Sequence, residues 1–191
     1  MTKVELRKIY LAKQKNLSSS ERIEKSRQIT GQFFQSFDLS KIRFLHCFIA
    51  IKKFNEVDTS LIFKRLWREF PQVQALVPRI NFQTREIENL KFTLETKLVE
   101  NAWKIKEPTE SESVKTKEID MVLIPLLCFD EKGFRVGYGK GFYDKFLSDC
   151  REDVLKIGLS FFDPIGKIAD AQEFDVKLDF CVTPKKIVNC K

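Results

Sequence analysis

Four of the seven glycines in this 191-residue chain, Gly133, Gly137, Gly139 and Gly141, fall within nine residues, and the run continues Phe142-Tyr143-Asp144. At average usage such a chain would carry roughly 13 glycines, so their concentration in one place is a signal. Glycines at alternate positions let successive backbone N–H groups face one concavity, and the missing Cβ atoms let a ligand come close. Arg135 and Lys140 put two cations on the same loop. A helix over Phe142–Leu147 would add the positive end of its dipole. Together these describe an anion cradle, most simply for phosphate; a purely structural tight turn is the alternative. The spacing is neither the Walker pattern nor the dinucleotide G-x-G-x-x-G. Asp144, in the first helical turn, either complements the dipole or ligates, directly or through water, the magnesium that travels with a nucleotide.

The elements that must position this loop read as alternating helices and strands. Val4, Leu6, Ile9 and Tyr10 suggest one face of a first amphipathic helix, with Lys3 and Arg7 four residues apart and pointing the same way. Ser18-x-x-Glu21 is a capping box opening a second helix that carries Ile23, Ile29, Phe33, Phe34 and Phe37. Phe44–Ile51 reads as a strand covered on both faces. A helix capped by Asp58 or Thr59 follows, then a strand Val73–Val77 ending at Pro78. Phe92–Leu94 and Trp103–Ile105 read as short edge strands, and Glu107–Glu118 as a polar surface loop. Met121–Pro125, Leu155–Phe161 and Phe180–Thr183 read as further strands, the last of them ending before Pro184. The expectation is a single α/β domain over residues 1–191, three-layered, with a largely parallel, Rossmann-like sheet.

Composition narrows the chemistry. Apolar residues make up 43% and charged residues 32%, which excludes a disordered or low-complexity chain. The formal charge of +7 suits nucleic acid, an anionic membrane or a phosphorylated small molecule. No apolar stretch approaches the roughly 20 residues of a membrane span, and the N-terminal run lacks the apolar core of a secretory signal. Five cysteines without a C-x-x-C pair point to reduced thiols and a cytoplasmic location. Cys47, Cys128 and Cys181 sit in apolar runs and read as buried. The chain has one histidine, His46, again in an apolar run, so a Ser–His or Cys–His triad has no support; His46 reads as a buried, hydrogen-bonded structural residue.

The stretch IPLLCFDEKGFRVGYGKGFYDKFL resembles the signature of the 5-formyltetrahydrofolate cyclo-ligase (methenyltetrahydrofolate synthetase) family. Lys3-Val-Glu-Leu-Arg7, Asn55-Glu56-Val57-Asp58-Thr59 and Glu107-Pro108 resemble further family landmarks in order and spacing. Family membership implies ATP-dependent cyclisation of 5-formyltetrahydrofolate to 5,10-methenyltetrahydrofolate with release of ADP and phosphate, magnesium assisting. The formyl oxygen takes the terminal phosphoryl group, and the neighbouring nitrogen displaces phosphate as the ring closes. No enzyme nucleophile is needed, because positioning and charge neutralisation carry most of phosphoryl transfer.

Carried over by matching positions, the resemblance assigns ATP contacts to Lys3, Val4, Glu5, Leu6 and Arg7, and to Arg135, Val136, Gly137, Tyr138, Gly139, Lys140, Gly141, Phe142 and Tyr143. Lys140 and Arg135 become the catalytic cations. Folate contacts fall on Ile51, Glu56, Tyr138, Gly139, Lys140, Gly141 and Phe142, and magnesium on Asp144 and Asp175. Small-molecule partners are implied, a reduced folate and ATP, with neither nucleic acid nor membrane, in a monomer with a dimer as the alternative. Glu173-Phe174-Asp175 stands where the family commonly has Glu-His-Asp. That departure motivates one alternative, an ATP-dependent paralogue with a different acceptor. The charge motivates another, a basic nucleic-acid-binding module, against which the basic residues are interspersed with acidic ones.

Overall fold

Helix starts follow the local chemistry closely. In the computed structural model, which describes residues 1–101 and 105–190, helix α1 (Lys3–Lys15) opens on a Thr2–Glu5 capping box and α2 (Ser19–Ser36) on the Ser18–Glu21 box. Each box satisfies orphan N–H groups from both sides. Strand β1 (Phe44–Cys47) leads through a 3-10 turn at Lys52–Phe54 to α3 (Ser60–Glu69). There Asp58 Oδ1 accepts from the Ser60 N–H, while the Thr59 hydroxyl turns away to donate to Phe48 O at 2.7 Å. Then come β2 (Gln74–Asn81), β3 (Glu86–Lys91), β4 (Leu98–Glu100), β5 (Lys106–Pro108), β6 (Ser113–Val114) and a second 3-10 turn at Thr116–Glu118. The chain finishes through β7 (Met121–Pro125), β8 (Cys128–Phe129), β9 (Arg135–Val136), α4 (Phe142–Ser148), β10 (Leu155–Leu159), β11 (Phe180–Val182) and β12 (Ile187–Asn189).

Eight strands form one sheet in the order β12-β11-β10-β7-β1-β2-β3-β6. The middle five are parallel; β12, β3 and β6 join antiparallel at the edges. Two small hairpins, β4–β5 and β8–β9, stand apart from it. Side-chain alternation on β1 and β7 sorts the core into two layers. Leu45, Cys47, Met121 and Leu123 pack with Ile29 and Phe33 of α2 and Ile62 and Leu66 of α3. Phe44, Val122 and Ile124 pack on the other side with Phe146 and Leu147 of α4. The expected three-layer, largely parallel α/β arrangement holds.

Several expectations need correcting. Strand β1 stops at Cys47 rather than Ile51, because Phe48, Ile49 and Ile51 leave the sheet to line a cleft. Strand β2 runs through Pro78, which the antiparallel hairpin with β3 tolerates, and β3 ends before Phe92 instead of starting there. Most of the Trp103–Ile105 expectation lies outside the described residues. Glu107–Glu118 is not a loop throughout. Glu107 and Pro108 form part of β5 and are buried, with Glu107 Oε1 accepting from the Ile80 N–H at 3.1 Å. Phe180–Val182 is not the last strand, since β12 pairs back on it. On α1, Val4 is exposed and the inward stripe is Leu6 and Gln14 with Tyr10 partly covered; on α2, Ile23 is exposed. Cys47, Cys128 and Cys181 are buried as expected, and all five cysteines are free.

Candidate functional site

The chain reverses direction across the sheet at β1: it passes to β2 on one side and later returns to β7 on the other. Open α/β sheets bind ligands at the carboxyl ends of strands beside such a reversal, where successive loops part. A cleft of about 320 Å³ lies there. Its walls include Phe48, Ile49 and Ile51 after β1, Pro78 and Ile80 on β2, Pro125 at the end of β7, and the glycine-rich segment between β9 and α4. Helix α1 crosses beside this segment. From Lys3 to Gln14 it covers roughly 16 Å at 1.5 Å per residue, so one helix serves two different ends of the cleft.

At the first end, cations meet carboxylates. Lys3 Nζ is 2.5 Å from Asp175 Oδ2, and the Lys3 N–H donates to Asp170 Oδ1 at 2.7 Å. Burial pushes the Asp175 carboxyl up, but hydrogen bonds from Lys3 and the Gln172 N–H outweigh it and hold the group below the ordinary range. Arg135 is almost fully buried; it donates to Val176 O and to Asp144 Oδ1, the latter at 2.5 Å. Arg7 Nε donates to Gly137 O at 2.9 Å. Lys140, by contrast, is exposed and has no hydrogen-bond or ion-pair partner among the described residues. Three of the four cations are therefore held in place, and the fourth is free to follow an anion.

The glycines divide by task. Gly133 has φ +82°, and a Cβ there would sit 2.6 Å from Leu178 O, so this glycine serves the β8–β9 turn. At Gly139, φ +86°, a Cβ would meet the Arg7 guanidinium at 3.0 Å: the space is taken by a protein cation laid across the loop. Gly141, φ +72°, is the left-handed N-cap of α4 with open space around it.

At the other end the wall is mainly aromatic, with one buried acid and the exposed Lys53. Gln14, 2% exposed, donates from Nε2 to the Tyr138 hydroxyl at 2.8 Å and to Phe54 O at 2.7 Å. The Phe54 and Tyr138 rings pack with centroids 4.9 Å apart. Asn55, in the left-handed region at φ 55°, ties the loop to α1 through Gln14 O and Leu17 O. Glu56 is 4% exposed and accepts from the Ile51 N–H at 2.7 Å. Burial pushes its carboxyl up to about 7, against the opposing hydrogen bonds from Ile51 and Tyr138. A buried carboxyl beside an apolar wall can pair with amino and ring N–H groups of a flat heterocycle.

Of the residues singled out from sequence, Lys3, Arg7, Ile51, Glu56, Arg135, Gly137, Tyr138, Gly139, Lys140, Gly141, Phe142, Tyr143, Asp144 and Asp175 all border this one cleft. Val4, Glu5, Leu6 and Val136 are not among its walls. Val4 is exposed, Glu5 completes the helix cap, and Leu6 and Val136 pack with Cys128 and Ile168 beneath the hairpin. Their place in the matched motifs reflects the elements that carry the site. Gln14 and Phe54 were missed. The available signal was spacing: Lys3, Arg7, Tyr10 and Gln14 make a helical stripe, and a glutamine on it needs a partner.

Among the described residues no group of three or more His, Cys, Asp or Glu side chains forms a metal cage. Asp144 and Asp175 both act on the charge of Arg135 and both border the cleft. That donor set fits magnesium, which uses one or two carboxylates plus phosphate oxygens and water.

The sequence model of the 5-formyltetrahydrofolate cyclo-ligase family matches residues 1–184, and the chain belongs to that family. It is similar to the 5-formyltetrahydrofolate cyclo-ligase of Mus musculus, 26% identical with 85% of this chain and 84% of the relative covered. The Mycoplasma genitalium 5-formyltetrahydrofolate cyclo-ligase is 30% identical, covering 93% and 94% of the two chains. Among solved structures, the Aquifex aeolicus 5,10-methenyltetrahydrofolate synthetase superposes with a TM-score of 0.82 at 29% identity, over 100% of this chain and 94% of that one. The chain is thus an enzyme of the cyclo-ligase class. No helix among the described residues is long and apolar enough to cross a membrane.

Proposed function

We propose that this enzyme converts 5-formyltetrahydrofolate and ATP to 5,10-methenyltetrahydrofolate, ADP and phosphate. The observation that carries the reading is the division of one cleft into a cation end and an apolar end with a buried carboxyl, bridged by α1 and the glycine-rich segment. The triphosphate lies at the cation end. Lys3, Arg7 and Arg135, oriented by Asp175, Gly137 O and Asp144, neutralise its charge without having to be ordered at the moment of reaction. Lys140 follows the γ-phosphoryl group as it passes to the formyl oxygen. The pteridine lies against Ile51, Phe54 and Tyr138, and Glu56 accepts from its amino edge. Ring closure then expels phosphate, with the cleft holding the attacking nitrogen close to the activated carbon. Asp144 and Asp175 would hold magnesium, which would add positive charge at the phosphates. The reading places this chemistry in one domain spanning residues 1–191, in the cytoplasm, with small molecules as its only partners.

The test is an absorbance assay for the methenyl product with magnesium, ATP and 5-formyltetrahydrofolate. ATP-dependent product formation is expected. ATP turnover on another acceptor with no methenyl product would overturn the reading in favour of a paralogous activity, to which Phe174, 82% exposed beside the cleft residue Asp175, would then be the first pointer.

A further inference from the structure

The histidine that the sequence marks as structural joins the cleft to the interior of the sheet. His46 on β1 is fully buried; Nδ1 lies 2.8 Å from Asn89 Oδ1 on β3, and Nε2 lies 3.2 Å from the Tyr143 hydroxyl. Asn89 is 1% exposed and its Nδ2 donates to Thr116 Oγ1 at 3.2 Å. The proton positions follow from this orientation. An amide oxygen only accepts, so His46 Nδ1 carries the ring proton; the second nitrogen of a neutral imidazole then only accepts. Burial pulls the His46 pKa down to about 4, which keeps the ring neutral. Tyr143 must therefore donate its single proton inward, to His46 Nε2. Tyr143 also borders the cleft, so to a ligand group that reaches its hydroxyl the oxygen has only lone pairs to offer. The two terminal nitrogens of the nearby Arg135 already serve Val176 O and Asp144.

We infer that His46 is a positioning residue: by taking the proton of the Tyr143 hydroxyl, it makes Tyr143 an acceptor for an N–H group of the bound folate and not a donor to a phosphate oxygen. The direction of the hydrogen-bond chain stands on the Asn89 amide presenting its oxygen to His46; the identity of the N–H group rests on the function proposed above. This departs from the sequence resemblance, which counts Tyr143 among ATP contacts. Removing the hydroxyl should then be felt by one substrate and not the other.

With one histidine in the chain, the imidazole nitrogens can be assigned without ambiguity in the full-length, 15N-labelled, ligand-free protein. Long-range proton–nitrogen NMR should show Nδ1 protonated and Nε2 bare; protonation at Nε2, or at both nitrogens, overturns the inference. In steady-state kinetics, Tyr143→Phe should raise KM for 5-formyltetrahydrofolate about three- to tenfold, the range of one net hydrogen bond, and leave KM for ATP unchanged. A rise confined to ATP overturns it. His46→Phe should raise the same KM, and the double variant should be no worse than Tyr143→Phe alone, because His46 acts only through that hydroxyl. Additive losses would overturn the positioning role. Absence of any turnover of 5-formyltetrahydrofolate would count against the proposed function instead, with the NMR result still deciding where the proton lies.

Discussion

The two ends of the cleft are built on opposite physical terms. At the end formed by Lys3, Arg7, Arg135, Asp144 and Asp175, order comes from ion pairs, one between the half-buried Lys3 and Asp175 and one between the nearly buried Arg135 and the exposed Asp144. At the end formed by Gln14, Phe54, Glu56 and Tyr138, order comes from the buried Gln14 and Glu56, which hold the half-buried Tyr138 and the Phe54 loop through hydrogen bonds. Exposed ion pairs contribute little to stability, whereas a buried polar network costs heavily when half satisfied. The comparison teaches that this protein keeps its mobile charge apart from its fixed shape. Substitution of Lys140, the exposed cation, should therefore reduce turnover and spare the fold, and substitutions at the buried end should move both.

The largest effect is expected at Lys140, the cation with no protein partner. Lys140→Ala should lower kcat by about 10²–10³, as loss of one charge-stabilising donor does, with no shift in melting temperature. Normal turnover, or an unfolded variant, would break the comparison at its sharpest point.

Glu56 sharpens it from the other end. Its folded carboxyl is raised from the ordinary 4.5 to about 7, so between those values the native state holds a proton that the unfolded chain has lost. Stability from this group is fully present below about pH 4.5 and is lost as pH rises through about 7. Unfolding free energies measured from pH 5 to 8 should fall in the wild type relative to Glu56→Gln by on the order of 2–3 kcal/mol. A constant difference between the two would mean that Glu56 ionises normally and that this end of the cleft is wetter than its packing implies.

Two glycines offer a matched pair. Gly139→Ala forces a side chain into the left-handed region and against Arg7, costing roughly 1–2 kcal/mol and weakening ATP binding by displacing that guanidinium. Gly137→Ala, with no positive φ and nothing within 4 Å of its Cβ position, should be near neutral in both. Calorimetric titration of ATP with each variant checks this; equal affinities would remove Arg7 from the phosphate site.

A modest effect on stability is expected from Lys3→Met. It breaks a pair that is 23% and 16% exposed, between the exposed and the buried case, so the loss should be about 1–2 kcal/mol, while KM for ATP rises. A large drop in melting temperature with KM unchanged would move Lys3 from the site to the scaffold.

Much of this arrangement is legible in the chain because it is local. The Ser18–Glu21 cap, the strand Met121–Pro125 and the crowding of glycines ahead of Phe142 each involve neighbours within a few residues, and each stands in the structure where the sequence puts it. The resemblance located the cleft walls well and was less exact about which residues of a matched motif face it. Glu5 and Val136 sit inside such motifs yet serve a helix cap and a small core.

The sequence by itself determined the supply of cations, the crowding of glycines in one loop, the alternation of helices and strands, and the family. Capping, glycine spacing and hydrophobic period are short-range properties, so they survive without the fold. Only the tertiary structure decided that Lys3 would pair with Asp175, 172 residues away, that Arg7 would fill the space over Gly139, that Gln14 would hold Tyr138, and that Glu56 would lose its water. It also added β12 and drew the end of β1 out of the sheet. These outcomes depend on which distant surfaces meet and on what burial then does to a charge or a proton, and no pattern confined to neighbouring residues carries that information.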